Sequence, residues 1–246
     1  TCGWCDLGIR IQGRLARQLA RSFDDMFARA NHPQSAFARL QRSGAKKTVD
    51  AAGGTLLLSG PGRGRSPIKT ALRRDLESGR SVQIIVAYFL PTWRMRRALC
   101  RVASRGGKVQ LVLAAKSDVA LSRLAGQSLY RRFLKAGVEL FEYQPQILHA
   151  KLIIIDNAVY VGSANLDQRS LKINYELMVR FENADLAAEA REIFQRTLKN
   201  CEAITPEKWK LSRTLWRRFT QRWAYFLLVR LDPIIAGFQW DSASDS

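Results

Sequence analysis

Apolar residues in this sequence follow two periodicities, one typical of buried strands and the other of amphipathic helices. Segments such as VQIIVAY at 82–88 and KVQLVLA at 108–114 are almost continuously apolar, as are strands covered on both faces. Between them, residues 94–104 place apolar side chains at helical spacing. This alternation predicts an α/β fold, in which a mixed β-sheet carries helices on both faces. The predicted strands are 7–12, 56–58, 82–88, 108–114, 138–143, 148–156, 158–162 and 175–181, and the predicted helices are 14–30, 68–78, 94–104, 119–134 and 184–198.

Two regions depart from this alternation. Residues 31–54 are polar and basic without a firm pattern, and we predict that they form a connector. Residues 205–246 do not continue the rhythm of strand and helix either. We therefore expect three parts, with bounds 1–54, 55–204 and 205–246.

The carboxy-terminal part combines basic and aromatic residues. Apolar side chains recur at helical spacing at Leu215, Phe219, Trp223 and Phe226. Basic residues far outnumber acidic ones in this segment: Lys208, Lys210, Arg213, Arg217, Arg218, Arg222 and Arg230. An amphipathic helix of this kind suits the interface between water and an anionic membrane. The alternative is a helix that packs on the domain and turns its arginines to solvent.

Net charge adds a second constraint. The 246 residues contain 40 Lys and Arg against 21 Asp and Glu, which gives a formal net charge of +19. Such a surplus predicts an anionic partner, either a nucleic-acid backbone or a membrane surface, and charge alone cannot choose between them. No apolar run approaches the roughly 20 residues of a membrane-spanning helix. Four cysteines do not make a disulfide scaffold, so a reduced, cytosol-facing chain fits best.

The candidate chemistry lies in residues 148–176. His149 and Lys151 are two apart on a predicted strand, so their side chains should share one face. After the next strand, Gly162 and Ser163 are followed by Asn165, again two positions from the serine. Imidazole, ammonium, hydroxyl and amide groups around a glycine suit the oxygens of a tetrahedral phosphoryl group.

The full pattern, His-x-Lys-x4-Asp-x5-Gly-Ser-x-Asn with Asp156 as its aspartate, resembles the signature of the phospholipase D superfamily. Further segments, among them SPIKTAL, AYFLP, AGVELFEYQPQILHAK and NLDQRSLKINYE, look like the second half of bacterial cardiolipin synthases. The opening WCDLGIRIQGRLARQLARSFDDMF looks like the end of that family's first half. The resemblance thus implies that 1–54 is a remnant of a first half with a connector, and that 55–204 is a complete second phospholipase D-like domain.

The resemblance implies a role for each motif residue. His149 would form a phosphohistidine or act as the acid–base partner of the histidine that does. Lys151 and Asn165 would bind phosphoryl oxygens, with Ser163 supporting the pocket. Glu176 would accept a hydrogen bond from His149 and set its tautomer.

Asp156 completes the motif and belongs to the catalytic set by resemblance. We expect it to be structural and to hold the turn through backbone contacts.

The family's site needs two His-Lys motifs, from one chain or across a homodimer, and this sequence contains one. Its other histidine, His32, is followed two residues later by Gln34 instead of a lysine. Trp4 and Asp6 match the stretch after the family's first motif, and Asp6 would orient the histidine of that motif. The resemblance implies a truncated enzyme that needs the missing half or a second copy.

The implied activity is phosphatidyl transfer that makes cardiolipin from phospholipids such as phosphatidylglycerol, without metal or other cofactor. The implied location is peripheral, on the cytoplasmic face of a bacterial inner membrane. The alternatives are a homodimeric phosphodiesterase or nuclease, a phospholipase D, and a non-catalytic binding remnant.

Overall fold

The computed structural model describes residues 3–30, 46–51, 53–61, 64–212 and 214–231. Its strands are β1 Trp4–Cys5, β2 Lys47–Ala51, β3 Gly54–Ser59, β4 Ser81–Val86, β5 Lys108–Ala114, β6 Glu139–Tyr143, β7 Ile147–Leu148, β8 Leu152–Ile155, β9 Ala158–Gly162, β10 Glu176–Glu182 and β11 Cys201–Ile204. Its helices are α1 Arg14–Ala30, α2 Pro67–Ser78, α3 Trp93–Ser104, α4 Ala120–Gln127, α5 Tyr130–Lys135, α6 Gln168–Lys172, α7 Ala184–Leu198, α8 Pro206–Leu211 and α9 Leu215–Phe226, and α9 continues into a π-helical turn, Leu227–Leu231.

A mixed sheet organises the described residues. Its nine strands lie in the order β11-β6-β5-β4-β8-β9-β10-β3-β2. The neighbours β4, β5 and β6 are parallel, whereas β8, β9, β10, β3 and β2 continue the sheet antiparallel from β4. The predicted α/β class with a mixed sheet is therefore confirmed.

Helices cover both faces because the central strands alternate their side chains. Ile84 and Leu111 pack with α2, α3, α4 and α5 in the larger core. Ile85 and Val112 point to the opposite face, where Phe194 of α7 covers them. A third, smaller cluster joins α1 to β3 and β10. The predicted placement of helices on both faces is confirmed.

Helix starts follow the local sequence. The Asn183 side chain accepts a hydrogen bond from the Leu186 N–H and caps α7, and Thr92 caps α3 in the same way. The predicted bounds 184–198 and 108–114 match α7 and β5, because strong caps and turn glycines flank them.

Four predicted segments differ from the structure. Residues 7–12 form no strand, since β1 lies earlier and pairs in parallel with β7. Residues 47–51 of the predicted connector form the edge strand β2. The predicted helix 119–134 divides at Ser128, whose hydroxyl donates to the Ala125 carbonyl at 2.6 Å. The predicted strand 148–156 is interrupted at 149–151, where the backbone leaves the ladder.

The carboxy-terminal segment is anchored to the domain by one face of α9. Ala224 and Gln221 are buried, and the Gln221 amide donates to Gln127 of α4 at 3.4 Å. Trp209 of α8 is also buried, against Tyr130. Among the described residues, no helix is both long enough and apolar enough to cross a bilayer.

Candidate active site

His149 and Lys151 meet at the interruption between β7 and β8. The Nε2 atom of His149 lies 2.8 Å from the Lys151 Nζ, which also donates to the His149 carbonyl at 2.7 Å. The predicted proximity of the two side chains agrees with this contact. The predicted continuous strand is wrong at this point, because the two side chains meet where the backbone is irregular.

The amino-terminal segment holds this irregular backbone in place. The Cys5 carbonyl accepts hydrogen bonds from the N–H groups of His149 at 2.8 Å and Ala150 at 2.9 Å. Trp4 packs beside the imidazole, with ring centroids 4.7 Å apart. The short β1–β7 pairing therefore fixes the position of the His149 imidazole.

The carboxylate that contacts His149 is that of Asp6, whose Oδ2 lies 2.9 Å from Nδ1. This corrects two expectations, that Glu176 would take this hydrogen bond and that Asp6 would serve a different histidine. Glu176 instead accepts from the Ser163 hydroxyl, and from the Asn174 amide at 3.3 Å. Glu176 lines the same pocket, but the hydrogen bond to His149 is made by Asp6.

The pairing with His149 affects the pKa of Asp6. Desolvation raises it, but hydrogen bonds from His149 and the Leu7 N–H and electrostatic attraction to His149 and Lys151 outweigh desolvation. The net pKa lies below the ordinary value. Asp6 is thus ionised at neutral pH, and it favours the tautomer that carries its proton on Nδ1 and leaves the Nε2 lone pair toward Lys151.

Lys151 is almost fully buried, with 5% of its surface exposed. Burial lowers its pKa, and the carboxylates of Asp6, Glu176 and Asp118 only partly offset the effect. A buried ammonium that borders a pocket is suited to binding an anionic oxygen, which would replace the lost hydration.

Gly162, Ser163 and Asn165 lie where the chain leaves β9. A Cβ on Gly162 would stand 2.1 Å from the Leu177 carbonyl oxygen, so the close approach of β10 demands glycine there. The Asn165 Oδ1 accepts from the Tyr88 N–H at 3.2 Å, which leaves its Nδ2 donors for a ligand. The structure therefore brings Ser163 and Asn165 to the same pocket as His149 and Lys151.

This pocket has a volume of about 630 Å³, within the range typical of small-molecule sites. Several residues of this pocket are not predicted by the sequence motif. Tyr88 lines it, and its hydroxyl donates to Asp118 at 2.6 Å. Both residues follow the carboxyl ends of the parallel strands β4 and β5, a position that could have suggested them. Asp167 also lines the pocket, and burial raises its pKa.

Asp156 lies away from the pocket, at the turn between β8 and β9. Its carboxylate accepts hydrogen bonds from the N–H groups of Arg80 at 3.1 Å and Ser81 at 2.8 Å. Its own φ is 49°, a conformation that aspartate tolerates better than most residues. These contacts join the turn to the start of β4. The second histidine, His32, lies outside the described residues.

A mixed sheet that carries the His-x-Lys-x4-Asp motif, with His149 and Lys151 of that motif in a pocket, defines a phospholipase D-like domain. The sequence profile of the family "Cardiolipin synthase, PLD-like domain" matches residues 72–198, and the chain belongs to that family.

Curated relatives agree with this assignment. The chain is 27% identical to cardiolipin synthase A of Buchnera aphidicola over 91% of its own length and 46% of that protein. It is 29% identical to cardiolipin synthase A of Yersinia pseudotuberculosis over 70% of its length and 35% of that protein. The chain thus spans about half or less of these relatives.

Two solved structures share the fold. One is Nuc from Salmonella typhimurium, a phospholipase D family member, with a TM-score of 0.52, 21% identity, and coverage of 62% of this chain and 99% of that one. The other is phosphatidylserine synthase from Haemophilus influenzae, with a TM-score of 0.57, 12% identity, and coverage of 74% and 47%.

Proposed function

We propose that this chain supplies one of the two His-Lys motifs of a phosphatidyltransferase that makes cardiolipin from phospholipids. The observation that carries the proposal is the contact of His149 with Asp6 through Nδ1 and with Lys151 through Nε2, beside Ser163 and Asn165. Membership of the cardiolipin synthase family supports the lipid substrate.

Two roles for His149 suit this arrangement. As a nucleophile, its Nε2 attacks phosphorus, and the bond from phosphorus to the leaving alkoxide breaks while that oxygen takes a proton from the second motif. A hydroxyl of the acceptor lipid then attacks phosphorus, returns a proton to the second motif and displaces Nε2. As acid and base, His149 performs the two proton transfers while the other histidine bonds to phosphorus. In both roles Lys151 and Asn165 hold the phosphoryl oxygens.

The second motif would come from a first half or from another copy of the chain. Asp6 is already hydrogen-bonded to His149, and Asp167 accepts from the Ser170 N–H, so we assign to Glu176 the task of orienting a second histidine. It lies in the pocket with Ser163, which is a suitable position for that contact.

We also propose that the enzyme binds an anionic membrane from its cytoplasmic side as a peripheral protein. The observation behind this is the outer face of α9, where four aromatic side chains are exposed and follow one another in ring contact: Trp216, Phe219, Trp223 and Phe226. Arg218 and Arg222 are exposed on the same helix. Apolar insertion and attraction to anionic lipid would act together there.

The activity is tested by mixing the chain with a separately produced first half and vesicles of labelled phosphatidylglycerol. We expect label in cardiolipin together with release of glycerol, and we expect His149→Ala to abolish both. Release of phosphatidic acid without cardiolipin would indicate a phospholipase D, in which water replaces the acceptor lipid. Absence of any lipid product with both halves present would contradict the proposal and favour a non-catalytic remnant.

A homodimeric nuclease is the second candidate, because the net charge of +19 suits a nucleic-acid backbone. The same preparation is incubated with single- and double-stranded DNA. Cleavage by the chain alone, lost in His149→Ala, would favour the nuclease and overturn the lipid assignment.

A further inference from the structure

The pocket that holds His149 and Lys151 has a polar part and an apolar part. Its polar groups include Lys151, Ser163 and Asn165, which we assign to the phosphoryl group. Aliphatic residues from separate parts of the chain also line the pocket, among them Leu7, Ile9, Leu90, Val119 and Leu228. A phosphate site alone would not need them.

Leu228 is the least expected of these residues, because it belongs to the carboxy-terminal segment. It lies in the π-helical turn that continues α9, and this turn contacts α4. Leu228 and Val229 also pack against the main core. Gln221 and Ala224 fix α9 to the domain, so the residues at the end of α9 are held in place at the side of the pocket.

Val119 also lines this pocket; it directly precedes α4 and is 42% exposed. Exposed aliphatic surface inside a pocket costs free energy in water, and a ligand that covers it recovers roughly 25 cal/mol per Å². The ligand therefore carries apolar groups next to its phosphate. Nucleic-acid strands are bound differently, by aromatic stacking and basic grooves, and these residues are aliphatic.

We infer that Val119 and Leu228 form the wall against which the acyl chains of a phospholipid lie while its phosphate is held by Lys151. This inference rests on the proposed function and adds to it two residues that contact the acyl chains of the substrate. The exposed aromatic residues of α9 extend along the same helix away from Leu228. The helix that would touch the membrane thus also bounds the pocket, which gives a lipid an apolar route to it.

The test is binding of two water-soluble probes to the intact 246-residue chain, measured by titration calorimetry. Dihexanoyl phosphatidylglycerol is used below its micelle concentration, and glycerophosphoglycerol provides the same phosphodiester without acyl chains. We expect the acylated probe to bind at least about tenfold more tightly. Leu228→Ser should remove roughly that tenfold advantage and leave glycerophosphoglycerol affinity unchanged.

Leu227→Ser is the matched control, because Leu227 lies in the same turn and is not part of the pocket lining. Its affinity for both probes should equal that of the unmodified chain. Leu228 also contacts the core, so Val119→Ser provides a second variant at an exposed position. It should reduce the preference for the acylated probe in the same direction.

The possible outcomes distinguish failure of the acyl-chain wall from failure of the proposed function. If Leu228→Ser and Val119→Ser leave the preference intact, or weaken both probes equally, the acyl wall is wrong. Lys151→Ala should weaken both probes. If it does not, or if glycerophosphoglycerol does not bind, the phosphate site fails and the proposed function fails with it.

Discussion

Asp6 and His149, 143 residues apart in the chain, are joined by a 2.9 Å hydrogen bond between Oδ2 and Nδ1. The contact depends on the parallel pairing of β1 with β7, which brings the amino-terminal segment beside the motif. In hydrolases with a histidine held by an aspartate, the carboxylate fixes the tautomer and stabilises the imidazolium. Asp6 has the geometry for the same task here.

Asp6→Asn tests that task. We expect the rate of phosphatidyl transfer by the completed enzyme to fall by roughly 10²- to 10⁴-fold, because an amide can impose the wrong tautomer on His149. The melting temperature should change little, since the Asp6 side chain is more than half exposed. The measurement is cardiolipin formation beside a thermal melt. Near-normal activity in Asp6→Asn would show that another group orients the histidine.

His149→Ala and Lys151→Ala should each remove nearly all turnover and leave the fold intact. Glu176→Gln should also reduce turnover if it orients the second histidine, although it does not touch His149. Steady-state rates and circular dichroism of the three variants provide the measurement. A Glu176→Gln variant with full activity would refute the assignment of that residue.

Asp156→Ala should lower stability. It removes the acceptors for the Arg80 and Ser81 N–H groups and leaves alanine at a positive φ. We expect a loss of about 1–3 kcal/mol in the free energy of unfolding, measured by urea denaturation. Asp156→Asn keeps one oxygen acceptor and tolerates the same φ, so it should lose less. Equal losses in the two variants would contradict this account of the turn.

Lys69 should make stability depend on pH in the alkaline range. Burial, and then the positive charges of Lys172 and Lys46, lower its pKa to about 8. The unfolded chain has the ordinary lysine pKa of about 10.4, so between about pH 8 and 10.4 the unfolded state binds more protons than the folded state. The contribution of Lys69 to stability therefore rises with pH through that window.

Lys69→Met removes the charge and tests this sign. It should raise the melting temperature at pH 7, and its advantage should shrink as the pH approaches 10. Lys199→Met, at an exposed position, is the control and should show no such trend. An advantage that is constant from pH 7 to 10 would show that Lys69 does not titrate in this window.

The outer face of α9 should bind anionic vesicles through two separable contributions. Replacing Arg218 and Arg222 by Gln should weaken binding to phosphatidylglycerol vesicles about tenfold or more at low salt and remove its salt-sensitive part. Replacing Trp216, Phe219, Trp223 and Phe226 by Ser should remove the part that persists at high salt. The measurement is vesicle sedimentation across a salt series.

Melting temperatures provide the control for that experiment. The four exposed aromatics should be replaceable with little loss of stability, because these residues are 50–73% exposed. Trp209→Ser should instead lower the melting temperature clearly, since Trp209 is buried. If the four-residue variant melts like Trp209→Ser and binds vesicles normally per folded molecule, the membrane assignment of α9 is wrong.

Local sequence accounted for most elements of the fold. Helix α7 and strand β5 were predicted to the residue, because each is bounded by a strong cap or turn. The motif also identified His149, Lys151, Ser163 and Asn165 as neighbours, since their spacing places them at adjoining strand ends. Such features depend on residues close together in sequence.

The errors at the candidate site concern contacts that only the tertiary structure creates. The partner of His149 was misassigned because Asp6 reaches it through β1, a strand of two residues with no periodic signal. Leu228 was missed for a related reason. The aromatic pattern of α9 describes its outer face and gives no information about which residue its end brings to the pocket.

The β1–β7 pairing bears on how members of this family can be recombined. Two backbone hydrogen bonds to Cys5 and one side-chain bond to Asp6 make the segment around these residues a functional part of the His149 motif. A chimera that exchanges halves between two relatives should therefore place its junction before Trp4, so that this segment travels with the histidine it supports. A junction after Asp6 would combine the histidine of one relative with the Cys5–Asp6 segment of the other.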